Sequence, residues 1–312
     1  MIAQQPDAFH GIYAATVCPL LDDGRIDEST LARHLEANAT VAGMKGLLIN
    51  GHAGENFMLS REEKRRVTEI AFEVCGRASV LVCGINAEDS LEAQRHVDDA
   101  KAAGADAVLV FPPFSWALSQ DADMALAHHT IANARAQMPL MLYQAGVNAG
   151  SMAYTPEVLA GLAQLPHVVG VKEGSWEAAA YEGNRRLVRR LAPHVAMMAS
   201  GDEHLLTCFA VGSEGSLVSL AAVVPELVIA LDAAVRAGDL AKARALNERV
   251  YPLAKAIYGT APGGHANARL KTCLKLLGRI PRDTMRPPIG PLAASEVAML
   301  ERALEVDGLS VF

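Results

Sequence analysis

The chain has little that would mark it as secreted, metal-binding or membrane-bound. Its five cysteines (Cys18, Cys75, Cys83, Cys208, Cys273) are odd in number, scattered, and form no CxxC pair. That argues against a disulfide framework and for a reducing, intracellular setting. No window reaches the roughly 18 apolar residues expected of a membrane span. The opening M-I-A-Q-Q-P-D-A-F-H has neither a basic flank nor an apolar leader core, so the cytoplasm is the expected location. Net charge is -7 with no basic block to offset it, which argues against a nucleic-acid surface. The densest basic stretch, R-R-L-V-R-R at 185–190, has the spacing of a solvated helix face. The histidines are dispersed apart from the adjacent His128 and His129, and none has metal-site spacing. No G-x-S-x-G elbow points to a serine nucleophile, and no G-x-G-x-x-G follows the first apolar run.

What is present is a large apolar share, 51% of 312 residues, enough for a sizeable core. It is distributed as short apolar runs alternating with helical patterns. The runs fall at 11–20, 45–50, 78–84, 105–111, 138–143, 167–172, 195–201 and 212–219. They are apolar throughout rather than alternating, as strands covered on both faces are. Between them lie helix signals: Asp27 as a cap, Ser60 with Glu63 as a capping box, and a helix over 89–103. Eight βα units within about 220 residues predict a closed (β/α)₈ TIM barrel over residues 1–222. A C-terminal helical extension packed on the barrel is expected over 223–312. A doubly wound open sheet is the competing architecture.

Catalytic groups of such a barrel lie at the C-terminal ends of its strands. The tips here are N-G-H-A-G-E, F-P-P-F-S-W, Y-Q-A-G, K-E-G-S and S-G-D-E. Lys172, where the apolar V-V-G-V gives way to polar residues, is the leading candidate. Enclosed at the mouth it loses hydration, which favours the neutral amine, and a neutral amine attacks a ketone to form an imine. The plainer alternative is a lysine that reaches solvent or pairs with Glu173 at the rim. Tyr143 ends the neighbouring strand, at a depth that suits proton transfer to and from the substrate. The glycines of Gly51-His52-Ala53-Gly54 bring backbone N–H groups close enough to form a nest for a carboxylate, or they simply turn the chain. Glu55 is a candidate anchor of that loop. Gly215, in G-S-E-G-S, is a candidate pocket-lining residue. Asp202 reads as a supporting group or a helix N-cap. His52 sits where an imidazole could titrate near neutrality, and with Ser115 it is a candidate for proton transfer at the leaving group. Phe114 and Trp116 suggest an aromatic wall.

Taken in order, these tips resemble the dihydrodipicolinate synthase/N-acetylneuraminate lyase family of Schiff-base enzymes, over nearly the whole chain. The segments that carry the likeness are G51-H-A-G-E55, Y143-Q-A-G146, G170-V-K-E-G-S175, S200-G-D202, G212-S-E-G215 and R286-P-P-I-G-P-L292. The resemblance implies Lys172 as the imine-forming residue, Tyr143 as the proton-transfer residue, and the backbone at His52 and Ala53 as carboxylate holder. It also implies a pyruvate-like 2-oxo acid as partner, no metal or nicotinamide cofactor, and a homotetramer. The departures concern the reaction. His52 and Ala53 replace a hydroxyl-bearing pair, Phe114 and Ser115 stand where the synthases have paired tyrosines, and Asn148 stands where they have an arginine. These changes argue against a lysine-biosynthetic role. The expectation is a lyase that cleaves a 2-oxo acid to pyruvate and an aldehyde. Dehydration of a 2-keto-3-deoxy sugar acid, synthase-like condensation, deamination of a cyclic imine and non-catalytic ligand binding stand as alternatives.

Overall fold

The computed structural model of the chain describes residues 7–306 and Gly308. The outer ends of the two expected units, residues 1–6, 307 and 309–312, lie outside the described residues, and so does most of the stretch read for a leader. Eight parallel strands close in sequence order into a barrel: β1 (Gly11–Ala15), β2 (Met44–Ile49), β3 (Val80–Ile85), β4 (Ala107–Val110), β5 (Leu140–Gln144), β6 (Val168–Glu173), β7 (Ala196–Ala199) and β8 (Gly215–Val218). Every expected strand is present. The uniform apolarity has a direct cause: side chains on one face fill the barrel and those on the other meet helices, so all six residues of β3 are buried.

The barrel helices are α1 (Glu28–Ala39), α2 (Arg61–Cys75), α3 (Ser90–Ala102), α4 (Trp116–Ser119), α5 (Ala122–Asn133), α6 (Pro156–Ala163), α7 (Ala178–Leu191) and α8 (Leu205–Ala210). Their starts follow the sequence signals. Asp27 Oδ1 accepts the Thr30 N–H at 3.1 Å. Ser60 and Glu63 form the reciprocal capping box, with bonds of 3.2 and 2.8 Å. Asp89 accepts the Glu92 N–H at 2.8 Å.

Two strand boundaries differ from expectation by three residues or more. β1 stops at Ala15 rather than residue 20; Thr16 N–H still reaches the Leu48 carbonyl at 3.1 Å, and Pro19 further on has no N–H to donate to a ladder. Leu20 and Ile26 then form an isolated bridge that turns the chain into α1. β8 begins at Gly215 rather than 212, and Gly212, at φ +94°, belongs to the turn before it. Gly215 therefore sits at the N-terminal end of its strand, in register with Gly11 of β1. It is glycine because the strands meet there: a Cβ would lie 2.0 Å from the Gly11 carbonyl oxygen. Gly84 plays the same part beneath the β2 loop, where a Cβ would lie 2.1 Å from the Asn50 carbonyl oxygen.

Helices α9 (Leu220–Val223), α10 (Pro225–Arg236), α11 (Leu240–Tyr258), α12 (Ala266–Leu276) and α13 (Ala294–Val306) follow the barrel. The fully buried Arg269 ties them together, pairing with Glu296 at 2.8 Å and donating to the Thr260 carbonyl at 2.8 Å. This region also reaches the barrel mouth. Arg286 donates to the Gly24 carbonyl at 2.9 Å and pairs with Glu63. The Asn267 amide donates to the His52 carbonyl at 2.6 Å. Buried Lys271 pairs with Glu55, so Glu55 anchors its loop to α12. Among the described residues, no helix is long and apolar enough to cross a membrane.

Candidate active site

Strand alternation separates Lys172 from its neighbour. Successive side chains of β6 point to opposite faces, so Lys172 and Glu173 do not share a direction. Glu173 is taken up outside the barrel, accepting from the Ser175 hydroxyl at 3.0 Å and from the Asn184 amide of α7 at 2.8 Å. Lys172 is only 7% exposed and lines a cavity of about 380 Å³ at the C-terminal mouth. Neither the solvent-reaching lysine nor the rim pair with Glu173 is what the chain forms. Burial lowers the Lys172 pKa from 10.5 to about 8, and the Asp202 carboxylate opposes part of that shift.

Tyr143 is the register partner of Lys172 on β5, and the lysine Nζ lies 5.8 Å from the centre of its ring. Burial raises the phenol to about 12, with the Glu173 charge adding to the effect. Tyr143 is therefore a protonated donor at neutral pH. Asp202, beyond the end of β7, also faces the cavity. Its Oδ1 accepts the Leu220 N–H at 2.8 Å. Burial raises its carboxyl to about 7, against the pull of that N–H and of Lys172. Lys172 and Asp202 line the same cavity, and each charge favours the ionised form of the other against burial.

The β2 loop forms the opposite wall. Its Gly51 carbonyl accepts from Asn56 N–H at 3.3 Å, and its His52 carbonyl from Glu55 N–H at 2.9 Å. His52 and Ala53 line the cavity. The His52 ring stacks between Phe111, 4.4 Å between centroids, and Phe57, 5.1 Å, and meets Tyr143 edge-on at 5.1 Å. Burial, then the Lys172 charge, pulls its pKa down to about 3. The expectation of a group titrating near neutrality is corrected: enclosure at the mouth and the Lys172 charge both disfavour the cation, so this imidazole is neutral across the physiological range.

The structure thus brings Lys172, Tyr143, His52 and Ala53 around one cavity, with Gly51 and Gly54 in the loop behind it. Two other candidates lie elsewhere. Ser115 opens α4, where its N–H donates to Glu88 at 3.0 Å, and it is not among the lining residues. Gly215 sits at the far end of the barrel, as described above. Trp116 is fully buried against Tyr154, 5.1 Å between ring centroids, and forms core rather than rim. The side chain of Asn148 lies outside what is described. The sequence reading missed the far wall. Tyr258, from α11, bonds through its hydroxyl to the Ser219 hydroxyl after β8 and packs on Trp176, with centroids 5.1 Å apart. Tyr258, Ser219 and Trp176 all line the cavity. Ser219 was visible as a strand tip; nothing near Tyr258 in the chain marks it as a mouth residue. Among the described residues, no group of three or more His, Cys, Asp or Glu is placed to hold a metal ion.

These features define a TIM-barrel protein with an enclosed lysine at its catalytic face. The chain belongs to the dihydrodipicolinate synthetase family, whose model matches residues 8–307, and is accordingly a lyase-class enzyme. It is 33% identical over 307 residues to 4-hydroxy-tetrahydrodipicolinate synthase of Acidiphilium cryptum (strain JF-5), an alignment covering 96% of this chain and 99% of the relative. It is 32% identical over 302 residues to the enzyme of the same name from Hyphomonas neptunium (strain ATCC 15444), covering 97% and 99%. A solved prophage protein of the dihydrodipicolinic acid synthase family from E. coli K12, in complex with pyruvate, matches with a TM-score of 0.87 at 25% identity, covering 96% of this chain and 99% of that one. A monomeric dihydrodipicolinate synthase variant shares the fold with a TM-score of 0.88 at 23% identity, covering 98% and 99%.

Proposed function

We propose that this enzyme cleaves a 4-hydroxy-2-oxo acid to pyruvate and an aldehyde through an imine on Lys172. The observation that carries the reading is the enclosed amine itself, depressed to about 8 beside a protonated phenol. In this reading the substrate carboxylate rests on the peptide N–H groups of the Gly51–Gly54 loop. Its support is that His52 and Ala53 of that loop line the same cavity as Lys172. The neutral amine adds to C2. Tyr143 then protonates the carbinolamine oxygen, and water leaves to give the iminium. The resulting phenolate takes the proton of the C4 hydroxyl. The C3–C4 bond breaks, its electron pair moving into the iminium, and the aldehyde departs. Protonation of the enamine at C3 and hydrolysis of the imine release pyruvate. Asp202, which lines the same cavity, acts as a positioning residue whose charge favours the ammonium form of the lysine. The imine is the electron sink, so the chemistry asks for no metal or nicotinamide. The enzyme would work in the cytoplasm as a homotetramer, the assembly the family resemblance implies.

A panel of 2-oxo acids assayed in parallel for released pyruvate, water loss and ammonia tests this. Pyruvate release that disappears in Lys172→Ala is the expected result. Loss of water or ammonia instead would assign a dehydratase or a cyclic-imine deaminase. Full turnover by Lys172→Ala would overturn the mechanism.

A further inference from the structure

Helix α12 begins at the barrel mouth, and two of its side chains reach the β2 loop. Asn267 and Lys271 stand about one turn apart on the same face of the helix. The Asn267 side-chain amide donates to the His52 carbonyl at 2.6 Å, and Lys271 pairs with Glu55 at the other end of the loop. The Lys271 ammonium also donates to the Thr284 carbonyl at 2.9 Å, next to Met285 of the cavity lining. Lys271 and Glu55 are both buried. Asn267 lines the cavity, as do His52 and Ala53. All of these contacts lie within one chain.

The carbonyl that Asn267 holds matters because of the peptide it belongs to. The His52–Ala53 peptide is trans, and a trans peptide carries its N–H on the side opposite its carbonyl. Fixing the His52 carbonyl therefore fixes the line along which Ala53 N–H points. The carbonyl has a second donor, Glu55 N–H at 2.9 Å, but that bond closes the loop on itself and moves with it. The bond from Asn267, 215 residues further on, refers the peptide to the scaffold. It also draws electron density toward the carbonyl, which makes the N–H a stronger donor. Among the described residues, no backbone carbonyl accepts the N–H of His52 or of Ala53.

We propose that Asn267 is a positioning residue for the substrate carboxylate: by holding the His52 carbonyl, it aims the Ala53 N–H at that carboxylate. The proposal rests on the reading that the carboxylate sits on the N–H groups of this loop. It assigns their alignment to a helix outside the barrel, and it implies a defect confined to ketones that carry a carboxylate.

The test is cyanoborohydride trapping in the whole enzyme, followed at Lys172 by peptide mapping over a concentration series of pyruvate and of acetone. Acetone is the same ketone with a methyl group in place of the carboxylate. Asn267→Leu keeps the shape of the side chain and removes its N–H, and Asn267→Ala is run beside it in case the larger apolar group disturbs folding. The expected result is a half-saturating pyruvate concentration about tenfold higher in the variants, the size of one hydrogen bond to a charged group. Acetone trapping should stay within about twofold of wild type. Amide exchange gives the second readout: saturating pyruvate should slow exchange of Ala53 N–H in wild type and much less in Asn267→Leu. An equal loss for both ketones, or no loss for pyruvate, overturns the proposal and leaves the carboxylate reading standing. So does undiminished protection of Ala53 in Asn267→Leu, because Asn267 would then hold the carboxylate itself. Wild type that traps acetone as readily as pyruvate overturns the carboxylate reading, and this proposal with it. Absence of any adduct overturns the imine reading and both that depend on it.

Discussion

The account depends on how much neutral amine Lys172 offers at working pH. At pH 7 a lysine of pKa 8 is about 9% neutral, whereas one at 10.5 is about 0.03% neutral, a net gain of about 300-fold from burial set against the Asp202 charge. The acid limb of kcat/KM should therefore fall about tenfold per pH unit below an apparent pKa near 8. Asp202 supplies a second handle. Its negative charge favours the ammonium form, so Asp202→Asn should move that limb to lower pH. The asparagine oxygen can still accept the Leu220 N–H, which keeps the backbone in place. The assay is a pH series of kcat/KM on wild type and D202N, with the adduct-forming rate measured in parallel. A limb near pH 10, or a shift to higher pH in D202N, would refute the reasoning that burial tunes this amine and that the carboxylate opposes the tuning.

Tyr143→Phe keeps the ring contacts and removes the proton donor, so kcat should fall by about 10²–10⁴ while thermal stability changes little. Gly215→Ala drives a methyl into the Gly11 carbonyl and should lower the unfolding free energy in urea by about 3 kcal/mol, the upper end for overpacking. Glu55→Gln leaves the buried Lys271 ammonium without a counter-charge. It should cost about 3–5 kcal/mol in the same measurement and loosen the β2 loop, visible as faster amide exchange at residues 51–58.

The strands of this barrel were legible because a sheet covered on both faces needs continuous apolar runs, and that pattern survives in V-L-V-C-G as plainly as in M-P-L-M-L-Y. The helix starts were legible because caps are local chemistry, as at Asp27 and Ser60. Lys172 and Tyr143 were legible because one rule, that chemistry sits at strand ends, applied to both. The rule gave no help at Gly215: with the strand expected from 212, that glycine was expected to line the pocket, yet the strand starts at it, at the far end of the barrel. It also could not say which way a strand-end side chain points, so Trp116 was read as wall when it packs inward. Tyr258 and Asn267 arrive at the mouth from helices beyond β8, and no local pattern encodes that distance. The neutrality of His52 comes from burial and from the Lys172 charge, and both Lys172 and the packed Phe111 are far away in sequence, so a reading of the loop alone misjudges it.

The most direct measurement is reduction of the enzyme with borohydride in the presence of pyruvate, followed by intact mass and peptide mapping. The account predicts one reduced adduct per chain, on Lys172, absent from Lys172→Ala and slower to form in Tyr143→Phe. A chain that takes up no adduct across a range of 2-oxo acids, or carries it on a different lysine, would contradict the central claim.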